Sequence, residues 1–406
     1  MIRLLHFADL HIGMENYGRV DPATGINGRV LDFLRRLDEV IEYGLAHEVD
    51  AVIFAGDAFK TRDPSPTYQR EFARRIRRLS EVNVPTVLVV GNHDLPAMEK
   101  KASSLDIYRT LNVPNIHVGW RDELLRLETR HGPLQVACVP YPMRQRLLAR
   151  DELRAKSVQE LDRSLTDTVS NLVRSLADEL DPNIPAVLAG HFTVGGATFG
   201  SERSVMIGSD AVVLKSVLAD PAWDYVALGH IHKHQELNNG KQPAIVYPGS
   251  LERVDFGEEH DKKGFCWVEL ARGQTSWKFV EVEARPFVSI YADVREADNP
   301  TQAVLEAIAG ADITGAVVRV VVKLKACQEA ALREKDINLA LGGAYYVSSL
   351  TKDVERELRQ RLGGQSPEGL TTEQLIRRYF ETKGTAPERI EGLLACAQDL
   401  LVDEEM

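Results

Sequence analysis

The chain has 406 residues, 44% hydrophobic and 27% charged, which is too long for one ordinary domain and fits neither a disordered nor a fibrous protein. Its 49 Lys and Arg against 60 Asp and Glu give a net charge of −11, which leaves only local basic patches or bound cations as a means of attracting nucleic acid. No apolar run reaches the roughly 18 residues of a membrane span, the first residues lack a secretory-leader pattern, and the four cysteines form no CxxC pair, so a cytosolic chain without disulfides or thiolate zinc is expected.

Short runs of Val, Ile, Leu and Phe occur at 2–8, 51–55, 86–90, 186–189 and 225–228. They are too short for helices and do not alternate, which predicts strands buried on both faces. Helical periodicity fills 29–47, 67–82 and about 153–179, so strands and helices interleave as in an α/β layered core. After about 240 the segments AIVYPGSLER, GFCWVEL and TSWKFVEVEA read as strands and turns, predicting a second sheet on the first. Strand-like RPFVSIYADV, a helix opened by Asn299-Pro300 and closed by Gly310, strand-like VVRVVVKL and AYYVSSL predict a small α+β domain over 285–350.

Residues 351–370 contain RLGGQSPEGL and read as a linker. Residues 371–406 hold two short helices, with Thr371/Gln374 and Thr385/Glu388 matching the capping box. Leu375, Tyr379 and Phe380 form one apolar stripe, and Ile390, Leu393, Leu394 and Leu400 a second. Two helices bury little by themselves, so either a hairpin docked on its own chain or a partner protein covers the stripes. Eight Lys and Arg against twelve Asp and Glu over 352–406 suit a protein partner better than DNA.

Each buried strand of the first domain, 1–280, ends in ligand-type residues: Asp9-Leu10-His11, Gly56-Asp57, Gly91-Asn92-His93-Asp94, Gly190-His191 and Gly229-His230-Ile231-His232. Five of the eleven histidines sit in these clusters. The carboxyl ends of parallel strands line the ligand crevice of open α/β sheets, so the side chains are expected to converge. A single Gly-His or Gly-Asp is usually a turn, but five in order after five buried strands point to a metal centre. Without a cation, several buried carboxylates and imidazoles would lack partners.

This order of motifs resembles the calcineurin-like metallophosphoesterases. GDAFKTRDPSP, GNHDLP and YPGSLERVDFGE are similar to the SbcD-type nucleases within that family, bacterial counterparts of the double-strand-break repair nuclease. The resemblance implies two sheets flanked by helices, a DNA-binding capping domain, and DNA cleavage as exonuclease and endonuclease. It also implies an SbcC-type ATPase bound by the C-terminal helices, and a homodimer formed through 67–82 and 101–111. Two divalent ions are implied, manganese being the family's usual activating ion with magnesium or iron as alternatives; oxygen and imidazole ligands without thiolate suit these ions better than structural zinc. Asp9, His11, Asp57 and His232 would hold one; Asp57, Asn92, His191 and His230 the other. His93 would be the general acid, oriented by Asp94, with a metal ligand as its alternative role. Relatives often carry a histidine where Lys60 stands, which leaves the exonuclease-to-endonuclease balance open.

Lys60, Arg62, Arg144, Arg203, Lys233 and Arg253 lie near the motifs and are candidates for phosphate contacts. The run Arg70, Arg74, Arg75, Arg77, Arg78 reads first as a solvated helix face, with a DNA patch as the alternative. A phosphoesterase for phosphoproteins or small esters competes with the nuclease. Against it, those phosphatases carry GDxxDRG and GNHE, where this chain has GDAFK and GNHD. The intact ligand set argues against a scaffold with a decayed site.

Overall fold

The structure, a computed structural model, describes residues 1–96, 101–143, 158–200, 211–355 and 370–402. Four parallel strands begin the first sheet: β1 (Ile2–Phe7), β2 (Ala51–Phe54), β3 (Thr86–Val89) and β4 (Ile116–Gly119). Helices α1 (Gly28–Ala46) and α2 (Pro66–Glu81) make the crossovers. The Asn27 side chain caps α1, and Ser65 with Pro66 at the first turn caps α2. A short α3 (Asp106–Thr110) precedes β4.

The second sheet is built from the hairpin β5 (Glu123–Thr129) and β6 (Gly132–Val139), then, after α4 (Val158–Asp178), β7 (Ala186–His191). A small pair, β8 (Thr193–Val194) and β9 (Val212–Val213), and α5 (Lys215–Leu218) lead to β10 (Tyr225–Gly229), β11 (Gln235–Glu236) and β12 (Ala244–Tyr247). Strands β6, β7, β10 and β12 are parallel, with β5 and β11 antiparallel at the two edges. Strands β13 (Gly264–Ala271) and β14 (Gln274–Glu281) return to the first sheet, β13 lying antiparallel to β1. The late strands therefore do not form a sheet of their own, as the sequence led us to expect. They are divided, β12 to one sheet and β13–β14 to the other.

Alternate residues explain the continuous apolar runs. Leu5 and Phe7 of β1 face α1 and α2, whereas Ile2 and Leu4 face the second sheet together with Val136, Val187 and Tyr225. The far side of the second sheet packs on α4 through Val169, Val173 and Leu176. The result is four layers, helix–sheet–sheet–helix, with the C-terminal ends of both sets of parallel strands at one edge. His6 sits buried between the sheets, with Nδ1 3.1 Å from the Tyr225 hydroxyl and Nε2 3.2 Å from the Leu228 carbonyl.

The small domain is a three-stranded sheet: β15 (Phe287–Asp293), β16 (Val317–Lys325) and β17 (Tyr346–Glu355). Helices α6 (Pro300–Ala309) and α7 (Glu334–Ala340) cover one face through Val304, Ile308 and Ile337. All three strands are parallel, with β16 in the middle, and β17 runs to Glu355. Arg285 joins it to the main domain. Its Nε and Nη2 donate to the Asp32 carboxylate of α1 at 2.5 and 2.6 Å, and its guanidinium lies over Tyr345. Residues 356–369, most of the expected linker, lie outside the described residues. Helices α8 (Thr372–Thr382) and α9 (Pro387–Val402) follow, with the Thr371/Gln374 capping box as expected.

Burial of His6 pushes its imidazole down to about 3, so it stays neutral in the fold while the unfolded chain protonates near 6.5. The unfolded state therefore binds the extra proton, and stability is lost as pH falls from about 6.5 toward 3, at about 1.4 kcal/mol per unit. His6→Gln keeps a donor and an acceptor but does not titrate. Urea unfolding at pH 7.5 and 5.5 under identical metal conditions should show a loss about 1.4 kcal/mol smaller in the variant than in the parent chain.

Candidate metal centre

The loops after β1 and β2 run side by side beyond the first sheet. Asp9 N–H donates to the Gly56 carbonyl at 3.0 Å, and the N–H groups of Leu10 and His11 both donate to the Asp57 carbonyl. Asp9, His11 and Asp57 all take positive φ, at 52°, 46° and 61°, as does His230 at 98°. Such backbone is strained for non-glycine residues, and at ligand positions it turns side chains inward that a regular strand would splay to alternate faces.

Asp57 stands at the centre. Its Oδ2 lies 3.4 Å from His191 Nε2 and 3.8 Å from His11 Nε2. On one side His11 Nε2 faces His232 Nε2 at 2.9 Å, with Asp9 completing a group whose ligand atoms all lie within 4.8 Å. On the other, Asn92 Oδ1 is 3.0 Å from both His191 Nε2 and His230 Nδ1. The seven residues expected from the sequence as ligands, Asp9, His11, Asp57, Asn92, His191, His230 and His232, thus converge on two adjoining spots that share one carboxylate.

The charge balance in the buried site agrees. Burial works against ionised Asp57, yet His191 and its neighbours hold the carboxyl well below its ordinary range. Burial alone would lower His191; the Asp57 charge outweighs it and raises the imidazole to about 9. Two imidazole nitrogens aimed at each other, and an amide oxygen aimed at two more, fit lone pairs directed at ions. The donor set of carboxylate, amide and imidazole suits divalent metals.

Three sequence expectations need correction. Asp94 does not orient the His93 ring. Its carboxylate accepts the backbone N–H groups of Asp57, Ala58 and Gly91 at 2.9, 3.0 and 3.2 Å, and burial, then the Asp57 charge, raises it to about 7. The ring of His93 is held instead by the Lys60 carbonyl, 2.6 Å from Nδ1, and its backbone N–H by Asp57 Oδ1 at 2.9 Å. Adjacent residues on a turn diverge, so proximity in sequence does not make this pair. Arg253 is not available for phosphate: it donates to the carbonyls of Glu258, Asp261, Ala284 and Arg285. Ile390 and Leu394 are buried, so half of the second C-terminal stripe closes the hairpin rather than standing open.

Lys60 is half-buried, and Arg62 and Lys233 are exposed beside the ligand loops. Arg144 and Arg203 lie outside the described residues, as does the side chain of Leu400. The arginines of α2 are matched within the chain: Arg70 and Arg74 with Glu71, Arg75 with Glu71 and Asp38, Arg77 with Glu81, and Arg78 with Asp38 and Glu42. These pairings fit the charged helix face that the sequence suggests.

Sequence reasoning missed Glu258 and Lys263. Glu258 accepts from His232 Nδ1 at 2.8 Å, and Lys263 Nζ lies 2.8 Å from its other oxygen. Burial opposes the Glu258 charge, but Lys263 holds the carboxyl well below its ordinary range. An acid 26 residues beyond its histidine has no periodic signal to announce it.

The profile of the calcineurin-like phosphoesterases matches residues 2–234. The chain belongs to that family. Its SbcD-type branch is indicated by three proteins, each named as the D component of the nuclease SbcCD. That of Rhodobacter capsulatus is 31% identical over 292 residues, 67% of each chain. That of Escherichia coli K12 is 29% identical over 282 residues, 67% of this chain and 66% of that one. The Bacillus subtilis protein is 28% identical over 295 residues, 69% of each. The alignments thus span about two thirds of the relatives' length. Glu258 and Lys263 lie beyond the residues that the phosphoesterase profile matches.

Gly91 shows how tightly the family's ligand loops approach: a Cβ there would stand 2.2 Å from Asp57 Oδ1. Gly91→Ala should weaken divalent-ion binding by about 10-fold or more, the scale seen when ligand support is disturbed. Calorimetric Mn2+ titration checks this, with far-UV circular dichroism expected to stay unchanged.

Proposed function

We propose that the chain is a metal-dependent DNA nuclease that hydrolyses phosphodiesters as a 3′–5′ exonuclease and a single-strand endonuclease. It works in DNA end processing with an SbcC-type ATPase. The observation that carries the reading is the Asp57 carboxylate lying between the His11 and His191 sides of the site, a geometry suited to two ions with one shared ligand. The name of the aligned relatives, which calls them part of the nuclease SbcCD, supplies the substrate class.

In this reading Asp9, His11, His232 and Asp57 hold one ion, and Asp57, Asn92, His191 and His230 the other, with manganese preferred over magnesium or iron. Paired divalent ions, when bound, lower the pKa of water and neutralise charge on phosphate oxygens. His93 supplies the proton for the departing sugar oxygen. With Nδ1 fixed on the Lys60 carbonyl, Nε2 is the atom that carries it. As the new oxygen–phosphorus bond forms, the bond to the sugar oxygen breaks and that oxygen takes the His93 proton. Asp94 holds the Asp57 and Gly91 loops in register, and Lys60, Arg62 and Lys233 contact phosphates at the rim.

Leu375, Phe380 and Leu393 are partly exposed and Tyr379 is 41% exposed on the C-terminal hairpin. They form the face for the coiled-coil base of the ATPase, a helix-on-helix mode of recognition. The chain pairs as a homodimer through 67–82 and 101–111, a reading that the exposed Val82, Ile107 and Leu111 support. No helix among the described residues is long and apolar enough to cross a membrane, and the site of action is the cytoplasm, at the nucleoid. The small domain places DNA over the metal centre.

EDTA should abolish cleavage of plasmid and single-stranded DNA, and Mn2+ should restore it, with para-nitrophenyl phosphate a poor substrate. Preference for the small ester would refute the assignment to DNA. Asp57→Ala should lose both ions by elemental analysis. His93→Gln should keep both yet turn over about 10²–10⁴-fold more slowly, the usual worth of a general acid; loss of an ion would make it a ligand instead. Leu375→Asp with Leu393→Asp should retain nuclease activity on single strands but no longer co-purify with the ATPase. Wild-type co-purification would place the docking face elsewhere.

A further inference from the structure

His232 differs from His191 in what stands behind it. His191 is fixed by a neutral main-chain carbonyl, that of Ala55, 2.6 Å from Nδ1. His232 is backed by a full carboxylate, Glu258 Oε1, 2.8 Å from Nδ1. Glu258 sits on the turn Phe256–Glu258, and both its oxygens are engaged. Oε2 accepts from Lys263 Nζ at 2.8 Å and from Val254 N–H at 3.0 Å. Lys263 Nζ also donates to the Ser250 hydroxyl at 2.8 Å and to the His232 carbonyl at 3.2 Å. Ser250 N–H donates to that same carbonyl at 3.0 Å, and Ser250 bridges to Ala8, the residue before Asp9. Glu258, Lys263 and Ser250 are all buried.

A buried Lys–Glu pair is costly to assemble and adds little to stability over apolar residues of the same size. Here its three Lys contacts and two carboxylate oxygens enclose one residue, His232, by ring and by main chain. We propose that Glu258 is a positioning residue for the metal centre: it fixes the Nδ1–H tautomer of His232 and aims Nε2 at the ion held with Asp9 and His11. Lys263 is its counter-charge and ties the carboxylate to the His232 backbone. Carboxylate–imidazole–metal relays raise ligand basicity, and their loss typically costs about 10–100-fold in metal affinity. The proposal rests on the two-ion reading above.

Mn2+ titration of the full chain by calorimetry tests it without reference to catalysis. Glu258→Asp keeps the charge and the Lys263 partner but withdraws the carboxylate from Nδ1 by one bond length. Glu258→Gln with Lys263→Met keeps an acceptor near Nδ1 but removes both charges. Each should bind one ion as the parent does and the other about 10–100-fold more weakly, with thermal midpoints showing a folded chain. Parental affinity for both ions in either folded variant overturns the proposal. A parent chain that binds a number of ions other than two refutes the two-ion reading instead. Nitrogen NMR of the unmutated, Zn2+-loaded chain is independent of any substitution: His232 should carry its proton on Nδ1, and a proton on Nε2 overturns the proposal.

Discussion

One carboxylate, Asp57, has to be reached from two sheets at once, and the surrounding architecture follows from that need. His11 comes from the end of β1 in the first sheet, and His191 from the end of β7 in the second, so the two sets of strand ends must meet at one edge. Parallel strands deliver this because all their C-terminal ends lie on the same side. Asp94 then pins the Asp57 loop through the N–H groups of Asp57 and Ala58 and closes its own turn on that of Gly91, and Gly91 leaves bare backbone where any side chain would press on the carboxylate. The site is thus as much a property of sheet pairing as of the ligands.

Electrostatics sharpen the picture. The chain is acidic, and its most basic helix uses its arginines on Glu71, Asp38, Glu42 and Glu81 of the same domain. Arg253, close in sequence to the motifs, is consumed by carbonyls at the joint with the small domain. In the proposed reading, attraction for a phosphodiester rests on Lys60, Arg62 and Lys233 at the rim and on cations that the site would hold.

Much of this is legible in the sequence. Strands buried on both faces carry no alternation, and β1, β2, β3, β7 and β10 stand out for that reason, each followed by candidate ligands. The β5–β6 hairpin does not: β5 is half-exposed, and its mixed pattern, ELLRLET, resembles neither a buried strand nor a helix face. The return of β13 to β1 across some 260 residues has no local signal, because strand pairing at that distance is decided by which edge lacks a partner. Ion pairs are equally silent. Asp94 beside His93 suggests a pair that the turn forbids, and Glu258 with Lys263 shows nothing until the fold brings them behind His232.

Asp9, His11, Asp57 and His230 all sit in left-handed backbone, where a residue with a side chain is held against its preference at a cost on the order of 1 kcal/mol or more. Glycine would occupy each position without that cost. Functional groups retained against the folding preference of their own backbone set stability and activity in opposition. Laboratory selection of this chain for heat resistance alone would accordingly drift toward sequences with an emptied centre. Evolution for durability has to be coupled to a screen for turnover if the catalyst is to survive it.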